Sequence, residues 1–342
     1  MTGWIAAVGV PFAVSWALIA LLRRARWTRK LEDHPNERSL HASPRRRVGG
    51  IGVMAGALPV VALCGDATLG AFAAAAAALA LVSFLDDVRS LPIHVRLPAH
   101  LVAALVAVLA MGSTHLGAAY AALAILAIAW MANLFNFMDG ADGLVGGMAA
   151  MGFAALGVAA AQAGALPMAA ACGALAAAST GFLLHNFPPA RAFLGDAGSV
   201  PLGFLAGSIG IHGALSGTWP WWFPVLVFSP FIVDATYTLA ARALRREPVW
   251  RAHRTHVYQR LVLRGWSHRR LAVAAYVLMA VSALGALAAV RAGPMVQCGI
   301  IALWAAACLL LLGASEVFLR RAGPQEERNG ARAFQHHPPE SR

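Results

Sequence analysis

The sequence predicts an all-α fold, a polytopic transmembrane helical bundle of about eleven spans. Three observations lead there. Of 342 residues, 59% are hydrophobic and only 12% charged, about half the charged fraction usual in soluble domains. Apolar stretches recur along the whole chain, each close to the roughly 20 residues a helix needs to cross a bilayer. Finally, the basic residues concentrate in alternate connecting segments, the distribution that orients a membrane protein.

The spans fall at about 4–22, 49–65, 68–85, 95–112, 114–132, 142–161, 165–185, 198–214, 219–241, 270–290 and 295–319. The first run lacks a basic leader and is followed, not preceded, by Arg23, Arg24 and Arg26. That order fits a first transmembrane helix with its C-terminal end in the cytoplasm, not a cleaved targeting peptide. With the N-terminus outside, the inner segments are 23–48, 86–94, 133–141, 186–197, 242–269 and the cytoplasmic C-terminal stretch 320–342. Of the 27 Lys and Arg residues, Arg291 alone lies away from these segments and the span residues adjoining them. Residues 1–322 read as one transmembrane domain, and residues 323–342 as a polar, disordered tail.

The formal net charge of +12 is thus mainly a topology determinant. It also favours membrane lipids with anionic headgroups and anionic substrates at the inner leaflet, and requires no nucleic-acid partner. Ala- and Gly-rich spans, such as Ala73 to Ala78, allow close helix packing in lipid. Trp4, Trp219, Trp221 and Trp222 stand at expected outer span ends. Cys64, Cys172, Cys298 and Cys308 lie in apolar segments without metal-ligand spacing and read as small buried hydrophobes.

The chain has only 15 acidic residues, and their placement carries the functional information. Asp86 and Asp87 close the third span, Asp139 and Asp142 follow the fifth, Asp196 opens the eighth, and Asp234 lies deeper in the ninth. Carboxylates at a membrane boundary are costly unless they meet something cationic, and at a helix C-terminus the dipole opposes them. In Asn136-x-x-Asp139-Gly140-x-Asp142-Gly143 the two acids would share a face if the segment is helical. The alternative is a turn with an Asp N-cap, which also applies to Asp196 between its glycines. Their convergence at one depth points to a divalent cation, and oxygen-only ligands point to Mg²⁺, with Mn²⁺ as the substitute.

Two basic loops complete the set. One carries Arg38, His41, Arg45, Arg46 and Arg47; the other carries His253, Arg254, His256 and Arg260. Guanidinium groups pair bidentately with phosphate, and His donates to it or shuttles a proton. Carboxylates, a divalent ion and an Arg/His clamp together are the equipment of phosphoryl transfer.

These residues fall into five ordered motifs: Pro35-Asn36-x-Arg38-x-x-His41-x-x-Pro44-x-x-Arg47-x-Gly49-Gly50; Asp86-Asp87; Asn136-x-x-Asp139-Gly140-x-Asp142-Gly143-Leu144; Phe193-x-Gly195-Asp196-x-Gly198-Ser199; and the His253/His256 loop. In this the chain resembles the glycosyltransferase family 4 enzymes, the polyprenyl-phosphate N-acetylhexosamine-1-phosphate transferases. The resemblance implies transfer of a sugar-1-phosphate from a UDP-N-acetyl sugar to polyprenyl (undecaprenyl) phosphate with release of UMP, at the cytoplasmic face of a bacterial inner membrane, and is compatible with a homodimer. It further implies Asp196 as the Mg²⁺ ligand and Asp86 and Asp87 as the catalytic pair near the lipid phosphate, with His253 and His256 in the catalytic loop. Asn136, Asp139 and Asp142 would shape the nucleotide site, Asn186 matches an active-site Asn, Phe193 would stack on uracil, and Arg38, His41, Arg47 and Arg254 would hold phosphate oxygens. The His-x-x-His spacing is wider than the tight His run of the best-known members, and resembles the branch that initiates O-antigen and other surface polysaccharides. Asp234 also resembles a position in that branch, without a physical role legible in the sequence. The competing reading is an ion-coupled transporter, which would place its carboxylates near the bilayer midplane rather than at one interface.

Overall fold

The computed structural model describes residues 2–35, 39–41, 43–112, 117–248 and 253–321. Short connections join most of its long apolar helices, so successive spans mostly pack as neighbours. The helices are α1 (Thr2–Leu22), α2 (Gly49–Leu63), α3 (Ala67–Arg89), α4 (Ile93–Ala110), α5 (Ala118–Met138), α6 (Leu144–Gln162) and α7 (Leu166–Asn186), followed by α8 (Asp196–Leu215), α9 (Trp222–Val227), α10 (Ser229–Leu244), α11 (Val257–Leu263), α12 (His268–Val290) and α13 (Pro294–Arg321). Among the described residues, 9 helices are long and apolar enough to cross a membrane. The shorter α2 and the broken pair α9–α10 fill the two remaining positions of the eleven-span path. The fold is an all-α polytopic membrane bundle.

The most enclosed spans are α6, α7 and α8, whereas α13 lies at the periphery with few fully buried residues. Small residues help explain the centre: α8 packs closely along α5 through Gly203 and Gly207, where an added Cβ would meet the backbone at Met131 and Ile128.

The break between α9 and α10 follows from sequence. Pro230 supplies no N–H for the ladder at the start of α10. The freed carbonyl of Leu226 accepts from the Ser229 hydroxyl at 2.7 Å and from Ser282 on α12. Inside a membrane such a break survives only where side chains satisfy the backbone in this way.

Helix ends depart from the sequence expectation in ways that matter for function. Helix α3 continues through Asp86 and Asp87 to Arg89, so both acids sit within its last turns, and α5 runs to Met138, making Asn133 and Asn136 helical. Trp219 is buried, with its indole N–H donating to the Gly210 carbonyl at 3.0 Å, while Trp221 is exposed. Of the four cysteines only Cys172 is fully buried, and Cys298 is exposed. The polar tail beyond residue 322 lies outside the described residues.

Between α1 and α2 the chain forms a two-stranded antiparallel ribbon, β1 (Glu32–Asp33) with β2 (Arg45–Arg46). Arg47 then bridges in parallel to Phe193. This ribbon folds over the bundle end where α3, α5 and α7 finish and α6 and α8 begin.

Candidate active site

Two adjacent residues on one helix diverge by about 100°, and Asp86 and Asp87 therefore do different things. The Asp86 carboxylate accepts from the Leu91 N–H at 2.5 Å and pairs with Arg96 at 3.0 Å. Asp87, its side chain 1% exposed, accepts from the Asp196 and Ala197 N–H groups at 3.3 and 3.1 Å and pairs with Arg47 at 3.3 Å. It thus caps the N-terminus of α8 from another helix. Gly195, at φ +75°, permits that approach: a Cβ there would stand 2.8 Å from the Asp87 Oδ2.

Above this support lie two cavities. The first, about 350 Å³, has Asp86, Arg96, His253 and His256 on its polar side and Val82, Ile93, Leu97 and Val200 on its apolar side. The second, about 240 Å³, is lined by Asp33, His41, Arg47, Asp142, Asn186, Phe193 and His268. Asn136, Asp139, Gly140 and Asp196 line both, so the cavities meet across a wall of two carboxylates.

The second cavity is braced by long-range hydrogen bonds. Arg47 pairs with Asp33 at 2.6 Å, and the His41 ring stands edge-on to Phe193 at 4.8 Å. Asn186 is engaged at both ends: its Oδ1 accepts from the Gly143 N–H at 2.8 Å and its Nδ2 donates to the Ala192 carbonyl at 2.9 Å. Asp142 accepts from the Ala190 N–H at 2.9 Å, and His268 lies against it, 3.1 Å from the Asp142 N–H and 3.1 Å from the Leu40 carbonyl. Since a carbonyl only accepts, His268 Nε2 carries the proton. Burial holds His41 below its ordinary pKa despite Asp33, 3.9 Å away, which leaves an uncharged ring at the cavity edge.

In the first cavity Asp234 arranges the His loop. Its carboxylate accepts from His256 Nδ1 at 3.2 Å, from the Val257 and Tyr258 N–H groups at 3.0 Å each, and from the Thr238 hydroxyl at 3.2 Å. It therefore caps α11 and fixes the Nδ1–H tautomer of His256, leaving Nε2 for the cavity. The Tyr258 hydroxyl donates to the Phe137 carbonyl at 2.9 Å, over Gly140, where any Cβ would collide with it. The His loop is thereby docked on the turn that carries Asp139. His253 stacks on His256 with ring centroids 5.0 Å apart. Burial, with the charges of His256 and Arg242, lowers the His253 pKa to about 4.

The family model for "Glycosyl transferase family 4" matches residues 69–214, the stretch holding both wall carboxylates, Asp86, Asp142, Asn186 and Phe193. Over that stretch the chain is similar to glycosyl transferase family 4. It is 26% identical over 267 residues (72% of this chain, 74% of the relative) to the "Probable undecaprenyl-phosphate N-acetylglucosaminyl 1-phosphate transferase" of Bacillus subtilis (strain 168). It is 26% identical over 309 residues, 76% of each chain, to the "Decaprenyl-phosphate N-acetylglucosaminephosphotransferase" of Mycobacterium tuberculosis (strain CDC 1551 / Oshkosh). A shorter match, 40% over 111 residues, covers 32% of this chain and 34% of the phospho-N-acetylmuramoyl-pentapeptide-transferase of Levilactobacillus brevis.

The structure gathers most residues singled out in the sequence and separates others. Asp86, Asn136, Asp139, Asp196, His253 and His256 line the first cavity; His41, Arg47, Asn136, Asp139, Asp142, Asn186, Phe193 and Asp196 line the second. Asp87 lines neither and supports both. Arg254 is exposed and lines neither. Arg38 lies outside the described residues. Asp139 and Asp142 do not share a helix face: α5 ends at Met138, α6 starts at Leu144, and the turn between them sends the two acids to different walls. Asp196 is the first residue of α8, not its cap. Sequence reasoning missed Asp33, Arg96, His100 and His268 as lining residues. Only Arg96, ten residues after Asp86 across a tight Pro-containing turn, offered a local signal.

The shared wall crowds carboxyl groups together in a buried place. Burial, and then the charges of Asp196 and Asp87, push the Asp139 pKa well above the ordinary carboxylate range. Among the described residues no three His, Cys, Asp or Glu side chains form a metal cage on their own. Mg²⁺ seldom asks for one, binding instead through one or two carboxylates plus substrate phosphates and water. Two carboxyl groups beside the Asn136 amide, lining both cavities, suit that mode.

Proposed function

We propose that this chain transfers a sugar-1-phosphate from a UDP-N-acetylhexosamine to a polyprenyl phosphate, releasing UMP, as the first membrane-bound step of surface-polysaccharide synthesis. The observation that carries the reading is the pair of cavities meeting on Asp139 and Asp196. A water-soluble donor and a lipid acceptor need separate approaches to one reaction point, and one cavity is polar while the other has an apolar side. The three relatives act, by name, on undecaprenyl phosphate, on decaprenyl phosphate and as a phospho-N-acetylmuramoyl-pentapeptide transferase. The positive-inside pattern supports a site on the cytoplasmic side of the membrane, which for such an enzyme is the bacterial inner membrane.

The donor occupies the second cavity, its base beside Phe193 and His41 and its diphosphate towards Arg47 and the shared wall. The acceptor phosphate enters the first cavity between Arg96 and His256, its prenyl chain leaving past Val82, Ile93 and Leu97. Asp86 takes the proton of the acceptor phosphate, whose oxygen bonds to the β-phosphorus as the bond from that phosphorus to the bridging oxygen breaks. The departing UMP keeps that oxygen and its electron pair, with Arg47 balancing the charge. Asp86 lines the acceptor cavity and Asp87 lines neither, so the proton falls to Asp86. Asp139 and Asp196 would hold Mg²⁺, which when bound neutralises the phosphate charge.

The test is UMP release by purified protein from UDP-N-acetylglucosamine, UDP-N-acetylgalactosamine and their 6-deoxy derivatives with undecaprenyl phosphate. Release from at least one donor, absent without acceptor, is expected; no release from any of the four would refute the proposal.

A further inference from the structure

A third pocket, about 350 Å³, opens on the far side of the segment that floors the donor cavity, lined by Trp16, Ala20, Arg23, Arg24, His185 and Arg191. It lies where α1 and α7 end, at the active-site end of the bundle. Its three guanidinium groups have no carboxylate within ion-pair distance among the described residues. Arg23 instead donates to the Arg191 carbonyl at 3.0 Å and to His185 Nδ1 at 3.3 Å, and Arg191 donates to the Leu184 carbonyl at 2.6 Å. His185 Nε2 faces the Trp16 carbonyl at 3.0 Å, so it must donate, and the ring is neutral with Nδ1 accepting from Arg23. Arg24 makes no side-chain hydrogen bond among the described residues. Burial and the charges of Arg191, Arg24, Arg45 and Arg46 lower the Arg23 pKa; this is a site with positive charge to spare.

We propose that this pocket holds the phosphate of an anionic membrane lipid, and that its occupancy braces the 187–195 segment behind the donor cavity. The lipid is favoured over a free anion because the pocket continues into an apolar helix surface: Trp16 and Ala20 are one turn apart on α1, Trp16 is 47% exposed and the neighbouring Leu21 is 67% exposed. Acyl chains would lie along that surface, with the indole at headgroup level. The brace is direct. Arg191 and Ala192 donate their N–H groups to the His185 carbonyl at 2.7 and 3.2 Å, Arg45 donates to the Ala190 carbonyl at 2.9 Å, and the Ala190 N–H holds Asp142. A phosphate drawing Arg23, Arg24 and Arg191 together holds this run at Arg191 and against His185, just before it.

The test needs no turnover. The full chain is placed in phosphatidylcholine nanodiscs with increasing phosphatidylglycerol, retained lipid is counted by native mass spectrometry, and amide exchange of 187–195 is followed. Phosphatidylglycerol should be retained and should slow exchange of Arg191 and Ala192. Arg24→Gln should weaken retention about five-fold, as for one basic residue at a lipid surface, and Arg24→Lys should restore it. Equal exchange with and without phosphatidylglycerol, unchanged retention by Arg24→Gln, or equal protection by inorganic phosphate in pure phosphatidylcholine would each overturn the proposal.

Discussion

Replacing Asp234 by Asn isolates what one buried carboxylate does for the His loop. Asp234 accepts four hydrogen bonds, three through Oδ1 (His256, Val257, Thr238) and one through Oδ2, from the Tyr258 N–H. An amide keeps one acceptor. The least costly orientation leaves oxygen at the three-bond position and turns the NH₂ against the Tyr258 N–H. One charge-assisted bond is lost outright, at about 1.5–3 kcal/mol, and the others weaken. His256 then loses the charge that fixes its tautomer. If about 2 kcal/mol of this is felt in the transition state, kcat falls roughly thirty-fold. The assay is UMP release at saturating acceptor over a range of UDP-sugar. The KM for the donor should stay within about threefold, because Asp234 lines no part of the donor cavity. A kcat within about twofold of the parent, alongside inactivity of His256→Gln, would refute the positioning role.

Other consequences can be checked together. Asp87→Asn should lower thermal stability by about 3–5 kcal/mol, since it breaks a buried pair and a helix cap; Asp86→Asn, whose Arg96 partner is 42% exposed, should be destabilised less and should lose transfer. His253, whose pKa is lowered to about 4 by burial first, favours the neutral folded form. Its contribution to stability is complete above the unfolded value near 6.5 and is lost as pH falls towards 4, so His253→Gln should flatten the decline of melting temperature across that window. Protons and Mg²⁺ compete for Asp139, whose pKa is raised; the half-saturating Mg²⁺ concentration should therefore rise as pH is lowered from 8 to 6, and EDTA should abolish turnover. Asp196→Asn with full activity in metal-free buffer would remove the metal from the scheme.

Much of this architecture is legible in the sequence because hydrophobic length and basic-residue placement are local signals. The span count, the end of the bundle where the acids gather and the two basic loops all follow from them. What could not be read depends on contacts between distant segments. Nothing around Asp87 announces that it caps a helix starting 109 residues later. The split of Asp139 from Asp142 reflects a turn between α5 and α6 that a three-residue spacing cannot distinguish from a helix. His268 reads as part of a basic span end, and only the fold brings it to Asp142. Asp234 lacks a local partner at motif spacing, and its role appears once α11 docks against α10. Arg254, in a motif-bearing loop, shows the converse, a suggestive position that the fold turns to solvent.

The central claim is that a phosphate travels with the sugar, across a wall shared by two cavities. Donor labelled at the β-phosphate distinguishes this from simple sugar transfer. With undecaprenyl phosphate and Mg²⁺, the account predicts label in the lipid fraction and unlabelled UMP in water. Label recovered as UDP, with sugar alone on the lipid, would contradict it.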